Sequence, residues 1–515
     1  MSTNARSTSV RLSTKHSNVG GFFRNVSTDP RRRLRRTILG IFCVSITIAS
    51  LLGVIDWSRK ALLAPQAQQQ RHEITPTRDV PKDRFALAVQ KLSVPALPSL
   101  DPACHARLHA DVGGVPAGRP GGGADTEPPT PAEGPAECCA RCKAHEGSPR
   151  CDVWSFNEQN KQCKLLSQRE NSYPERPLLW HGADSPWTSG VLYDRAPTFT
   201  GASPCVHTVI TANGIAYTNW QTRLMFASWK RAAAAGGAGN VMTKFTRILH
   251  RTADDELMAE IPTVRVQPRR PECDVSCDFV IADRAKAVLD WMQTEDSQQC
   301  SHVLMAESDY FFVKPLNVFH LPQKGFSVGF HFGYVSPEYG NFSVISRRYV
   351  DETTPLARVP QTGNAPQLMH RDDMDKVIPL WAKMVDRIET DADAKAAWGW
   401  VRDMYAYSFA ALKSGVQHMT ELVPFNTLMV QPPADVTLGD AIILHWTWGP
   451  RISINGSVVW ELDKRGYDGV SMPYVPPMPH WDPLMRLQAG EVVEKSRYEL
   501  MRLLAETWNS LIDDL

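Results

Sequence analysis

Val303-Leu304-Met305-Ala306-Glu307-Ser308-Asp309-Tyr310-Phe311-Phe312-Val313 decides how this chain is read, because two carboxylates one residue apart close one apolar run and precede another. A short apolar run fits a buried strand. Carboxylates just past its end can face the crevice where open α/β sheets bind ligands. Hard oxygen ligands suit Mn2+ or Mg2+, ions that neutralise a diphosphate leaving group. The pair is a candidate site for a metal-bound diphosphate. Glu-x-Asp also arises by chance on loops, so the surrounding chain has to support the reading.

Outward from this junction, short apolar runs alternate with amphipathic stretches, the signature of an α/β sheet with crossover helices. Val206 to Ala212 reads as a strand, followed by a helix through Trp220 to Arg231. Phe245 to His250 is a second strand, Ala282 to Gln293 a helix, and Val303 to Ala306 the strand that delivers the acids. Helices are expected over Asp372 to Ile388 and over Asp393 to Leu412, with Trp398, Val401, Met404, Tyr405 and Phe409 at core spacing in the second. Ala441 to Trp446 is a late strand.

Sugar transfer from a nucleoside diphosphate needs a cation for the phosphates, a donor pocket, and groups that stabilise charge at the anomeric carbon. Asp309 is the preferred ligand, and Glu307 either ligates or holds metal-bound water. His445 closes Ile442-Ile443-Leu444, where a late strand can bring its imidazole to the same ion; a histidine in such a run is equally a satisfied core residue. Asp403, one acid on a largely buried helix, needs a partner such as Arg402 or faces the site, and is a catalytic candidate beside Glu307. Arg247, Arg284, Lys464 and Arg465 offer cationic groups for phosphate or carboxylate; Thr211 and Asp283 complete the expected donor and substrate contacts. Surface solvation is the plainer alternative for each of the four cations.

The 515 residues are 43% hydrophobic and 22% charged, which describes globular protein with room for two or three domains. A net charge of +1 favours no particular partner. Residues 1–36 nevertheless carry nine Lys or Arg against the single acid Asp29. Thr37 to Ile55 follows as 19 residues without a charge, long enough to cross a bilayer as a helix. The positive-inside rule then predicts a basic cytosolic tail (1–36), a transmembrane anchor (37–56) and a luminal remainder, with no role in binding nucleic acid. A cleaved signal peptide fits less well, because the basic region is long and no small-x-small cleavage site is clear. Asn341-Phe342-Ser343 and Asn455-Gly456-Ser457 are then glycosylation acceptors by sequence.

Residues 57–103, with Gln66-Ala67-Gln68-Gln69-Gln70, read as a stem. Seven cysteines lie between Cys104 and Cys205, spaced centrally as Cys138-Cys139-x2-Cys142-x8-Cys151-x11-Cys163. Cys139 and Cys142 lack a second close pair to complete a zinc site, so a disulfide-stapled module over 104–205 is expected, with one cysteine left over and the pairing open. Asp111 to Pro135, rich in Gly, Pro and Ala, interrupts it and reads as a mobile loop. Glu137-Cys138-Cys139-Ala140-Arg141-Cys142, Cys151-Asp152-Val153-Trp154-Ser155-Phe156-Asn157 and Cys163-Lys164-Leu165 resemble the PAN/apple module, which implies a protein- or glycan-binding unit.

The remainder, 206–515, contains Trp220-Gln221-x-Arg223, Phe245-Thr246-Arg247-Ile248-Leu249-His250 and Glu260-Ile261-Pro262-Thr263. Leu304-Met305-Ala306-Glu307-x-Asp309, Phe312-Val313-Lys314-Pro315 and Trp400-Val401-x-x-Met404-Tyr405-Ala406-Tyr407 follow, then Gln431-Pro432-Pro433 and Asp463-Lys464-Arg465-x-Tyr467. In this order, over about 280 residues, they resemble the hydroxyproline O-arabinosyltransferases of plants and green algae. The resemblance implies a type II Golgi membrane enzyme with a GT-A-like α/β domain. It implies transfer of L-arabinofuranose from UDP-L-arabinofuranose to hydroxyproline in a hydroxyproline-rich protein, with Mn2+ or Mg2+ and retention of configuration. Asp403 stands where the family pattern has Glu, and His445-Trp446-Thr447-Trp448-Gly449 replaces a His-Tyr-Thr-Tyr-Gly-like run. Cys273 and Cys277 lie in an unmatched loop. A peptidyl-serine galactosyltransferase and a noncatalytic glycan- or protein-binding receptor are the alternatives.

Overall fold

The computed structural model describes residues 82–93 and 100–515, apart from 105, 109, 113–114, 118–127, 148–149, 152, 168–177, 182–184, 193–203, 238–239, 276, 317–319, 323, 422–427, 448 and 468–473. The expected anchor at 37–56 lies outside these residues. Among the described residues no helix is long and apolar enough to cross a membrane.

Part of the expected stem is helical: α1 spans Lys82–Leu92. Its end is held by the C-terminal part of the chain, since the Leu92 carbonyl accepts from the Gly439 amide at 3.3 Å and Lys91 pairs with Glu499 at 3.7 Å. Arg231 also lies 4.3 Å over the Phe85 ring.

The cysteine-rich segment folds as α2 (Pro135–Ala144) against the antiparallel strands β1 (Val153–Asn157), β2 (Gln162–Ser167) and β3 (Trp187–Val191), with β1 central. So small a unit buries little apolar surface, and disulfides supply the restraint. Cys138–Cys163 ties α2 to β2, while Cys104–Cys139 holds the middle of α2 and Cys142–Cys151 its last turn. Asp111 to Pro135 is less loose than its composition suggests: Val115–Pro116 and Thr130–Pro131 both pair with β2, and buried Asp111 accepts from Ser155 Oγ at 2.9 Å. None of the ten cysteines from Cys104 to Cys300 is left over. Cys205 pairs with Cys300, and Cys273 with Cys277.

The larger sheet begins with β4 (Val206–Ala212), then α3 (Ala216–Ala235), β5 (Met242–His250), β6 (Thr263–Val266), α4 (Arg284–Trp291) and β7 (His302–Ala306). After β8 (Tyr310–Phe312) come β9 (Phe326–Phe330), β10 (Gln367–His370), α5 (Arg371–Glu389), α6 (Arg402–Ser414) and β11 (Gln417–Glu421). Strand order is β6-β5-β4-β7-β10-β9-β11. Only β10 runs antiparallel to its neighbours. The central strands β4 and β7 are covered on both faces, as near-continuous apolar runs in parallel sheets require.

The helix expected over Asp393 to Leu412 is broken. Ala392–Trp398 ends at Gly399, whose φ of +50° only glycine adopts without cost, and α6 restarts at Arg402. The break lets Trp398 stack on Tyr405 with ring centroids 4.5 Å apart, and it turns Trp400 outward.

Beyond α6, β12 (Met429–Val430) and β13 (Ile443–His445) join β8 in a small second sheet, in which Tyr310 is paired opposite His445. A hairpin of β14 (Arg451–Ile454) and β15 (Ser457–Glu461) precedes the closing helix α7 (Lys495–Asp513). Trp508 of α7 packs on Trp446 with centroids 3.7 Å apart and on Trp220 of α3 at 5.3 Å, and Phe311 reaches Trp446 at 5.2 Å. This aromatic cluster anchors the residues that follow Asp309 and His445.

Candidate active site

The chain leaves β7 at Ala306 and enters β8 at Tyr310, so Glu307, Ser308 and Asp309 form the whole connection between the two sheets. Neither acid has far to move. The tertiary fold sends them to different partners.

Asp309 is buried, and its Oδ2 takes both the Lys464 ammonium and His445 Nε2, the latter at 3.3 Å. Burial pushes its carboxyl up, but the two neighbouring cationic groups outweigh that effect and hold it well below the usual carboxylate range. Oδ1 has no hydrogen-bond partner among the described residues. His445 Nδ1 lies 2.9 Å from Thr447 Oγ1, and that hydroxyl donates to Gln431 Oε1 at 3.0 Å. With its own proton committed, Thr447 accepts from Nδ1–H. Nε2, across the ring, faces Asp309 Oδ2, so the Thr447 contact orients the imidazole toward that carboxylate. The carboxylate oxygen without a partner, Oδ1, and the imidazole beside the same carboxylate are oxygen and nitrogen donors of the kinds a divalent cation takes. Two ligands alone do not make a cage, however, and no group of three His, Cys, Asp or Glu side chains converges among the described residues.

The third expected ligand, Glu307, is turned away. Arg284, at the start of α4, donates to it through both terminal nitrogens, at 2.7 and 3.2 Å. Burial lowers the Arg284 guanidinium, but the charges of Glu307 and then Asp403 outweigh it and keep the cation charged. Asp403 is thus drawn into the same cluster from the first turn of α6. It does not pair with Arg402, which binds Glu389 at 2.5 Å and lies 3.4 Å over the Phe279 ring. Asp403 Oδ1 accepts from the Trp381 indole at 3.1 Å, while Oδ2 has no hydrogen-bond partner among the described residues. Burial raises its carboxyl to about 7, opposed by Arg284 and reinforced by Glu307.

Other expected contacts are structural. Arg247 is fully buried in β5 and is consumed by Asp255 at 2.7 and 2.5 Å, with Thr263 Oγ1 at 3.1 Å, so it braces β5 and the following turn instead of waiting for phosphate. Asp283 is buried too; it accepts from Arg270 Nε at 3.2 Å and from the Arg270 amide at 3.3 Å. Arg465 folds back on Asp463 at 2.7 Å and is mostly in solvent. Thr211 stands at the C-terminal end of β4, opposite Ile248 in the register. Lys464 does reach the site, as the partner of Asp309.

Sequence reasoning missed several members. Thr447 and Gln431 lay in quoted motifs, but only their contact with His445 shows that they orient its ring. His250 ends β5 buried, with Nδ1 unpartnered among the described residues, and burial followed by the nearby Arg284 charge lowers its imidazole to about 3. Tyr217, in the first turn of α3, has its phenol raised by burial and sits within the field of Lys464 and Asp309. Nothing in a one-dimensional pattern marks these residues.

Comparison with known proteins bears on this geometry. The sequence profile described as the hydroxyproline O-arabinosyltransferase family N-terminal domain matches residues 206–420. Hydroxyproline O-arabinosyltransferase 1 of Arabidopsis thaliana is 33% identical over 274 residues, covering 52% of this chain and 72% of the relative. Hydroxyproline O-arabinosyltransferase NOD3 of Pisum sativum is 32% identical over 284 residues, 54% of this chain and 81% of its own length. Among solved structures, the galactosyltransferase LgtC bound to donor and acceptor sugar analogues matches 47% of this chain and 86% of its own, at 12% identity and a TM-score of 0.29. With a third of the aligned residues shared across more than two thirds of such relatives, the chain belongs to the hydroxyproline O-arabinosyltransferase family.

Proposed function

We propose that this chain transfers L-arabinofuranose from UDP-L-arabinofuranose to the hydroxyl of hydroxyproline in secretory and cell-wall glycoproteins. The observation that carries the reading is the split acid pair in a member of this family: Asp309 faces His445 and Lys464, and Glu307 faces Arg284, at one strand edge. In the reaction, the acceptor oxygen bonds to the anomeric carbon as the bond from that carbon to the diphosphate oxygen breaks. UDP departs with the bonding pair. The hydroxyl proton passes to Asp403, whose carboxyl near 7 suits a base working near neutral pH. Arg284 and Lys464 place positive charge where the diphosphate develops negative charge. Asp309 and His445 would hold Mn2+ or Mg2+, which when bound neutralises the leaving diphosphate. Attack from the face that UDP vacates gives retention.

The fold belongs in this reading to the GT-A-like class. The enzyme is a single-pass type II Golgi membrane protein, with tail 1–36, anchor 37–56, stem 57–103, PAN/apple-like module 104–205 and transferase domain 206–515. The module binds protein or glycan. Asp309→Asn tests the assignment in purified luminal protein: turnover of UDP-arabinofuranose should fall by about two to three orders of magnitude, as loss of a principal electrostatic contact does. Intact turnover under saturating Mn2+ would overturn it.

A further inference from the structure

We infer that Trp400, Tyr334 and Tyr339 form an aromatic track beside the catalytic cluster that docks the proline-rich acceptor in its extended, left-handed helical form. This rests on the proposed function and names the surface that selects its substrate. Large aromatics are normally buried, yet Trp400 is 62% exposed, Tyr339 74% and Tyr334 42%. Two other exposed aromatics are tied to the C-terminal segment: Tyr474 donates to Asp513, and the Trp481 indole to the Val493 carbonyl. The three track residues are instead attached to the elements that build the site.

Trp400 lies three residues before Asp403, and its ring meets Phe279 edge-on at 5.4 Å. Phe279 in turn begins the turn that leads to Arg284, the residue gripping Glu307. Tyr334 reaches Met404, the neighbour of Asp403, through its hydroxyl at 3.7 Å, and its carbonyl accepts from Tyr405 at 3.3 Å. Burial, and after it the charges of Glu307 and Asp309, push up the Tyr334 phenol, which sets that ring within the field of the two acids. Tyr339 caps the short helix whose Phe342 packs on Tyr405 at 6.2 Å. All three rings therefore hang on one framework, the segment 400–405 and what packs against it, and that framework also carries Asp403.

The chemistry of the surface selects its occupant. A polyproline II helix forms no internal hydrogen bonds and presents stiff pyrrolidine rings, and flat aromatic faces bind it with little loss of conformational freedom. A nucleotide would need cationic groups among the rings, but Arg402 is held under Phe279 by Glu389.

The experiment uses the purified luminal chain, UDP-arabinofuranose, a peptide of consecutive hydroxyprolines and a blocked single hydroxyproline. Trp400→Ala should raise KM for the peptide by about three- to tenfold, the range of one aromatic contact, with kcat, the KM for the donor and transfer to the single hydroxyproline unchanged. Trp400→Tyr should restore most of the loss. An unchanged peptide KM, or an equal rise for peptide and single residue, would overturn the track. So would a raised donor KM, which would place a nucleoside there. A wild-type chain that arabinosylates neither acceptor would instead overturn the reading of function on which the track rests.

Discussion

Asp403 keeps one carboxylate oxygen on the Trp381 indole and leaves the other without a hydrogen-bond partner among the described residues, in a cluster that also contains Arg284 and Glu307. An acid buried this deeply is costly to ionise, which is why its carboxyl rises to about 7. If it accepts the acceptor proton, only its ionised form works, so kcat/KM should climb as pH rises through about 7 and level off above. Asp403→Asn should remove that acidic limb and lower transfer by about two to four orders of magnitude. A variant that keeps the limb would assign it to another group. Whether Asp403 paired with Arg402 or faced the site could not be decided from adjacency in sequence. Residues 402 and 403 point to different sides of α6, and Arg402 finds Glu389 instead.

At the scale of elements, β5 shows how a motif can mislead about role while being right about place. Arg247 sits in a recognisable run, but its guanidinium is spent inside the protein on Asp255, which also caps the turn through the Leu257 amide at 3.1 Å. Arg247→Ala should destabilise the domain by about 3–5 kcal/mol in urea or thermal unfolding, because it strands the Asp255 charge in the interior. The double substitution Arg247→Met with Asp255→Leu should recover most of that loss, since a buried ion pair replaced by apolar side chains is often neutral. Loss of donor affinity without loss of stability would return Arg247 to the donor site. The strands β4, β5 and β7 and helix α5 were legible because they are buried on both faces or strongly amphipathic. The short strands β9, β10 and β11 were not, since their pairing partners are distant in sequence. The break at Gly399 was hidden because apolar spacing continues across it.

For the whole molecule, four buried histidines couple the fold to pH. Burial is the first cause in each: His207, His302 and His418 fall to about 4, and His250 to about 3. Their imidazoles charge near 6.5 once the chain unfolds, so the unfolded state binds more protons below that pH. Stability should therefore hold above about pH 6.5 and decline as pH falls from there toward about 4. Asp403 works in the opposite sense, losing its contribution as pH rises toward about 7. Asp435, which burial raises to about 6, acts in the same sense as Asp403. Two acids against four histidines leave the acidic decline dominant, and melting temperatures measured from pH 8 to pH 4 check it; a midpoint that rises on acidification would refute the account. The sequence by itself determined the α/β class, the acid-bearing strand end and the family, because hydrophobic period and ordered motifs are written along the chain. It also led to expectations of a leftover cysteine and a three-residue metal cage. Only the tertiary structure decided that Cys205 crosses to Cys300, that Glu307 belongs to Arg284, and that Asp309 shares its oxygen with His445 and Lys464. Each of those partners lies at least 23 residues away in the chain, and which side chains converge depends on sheet order and helix packing, information that no local pattern of residues carries.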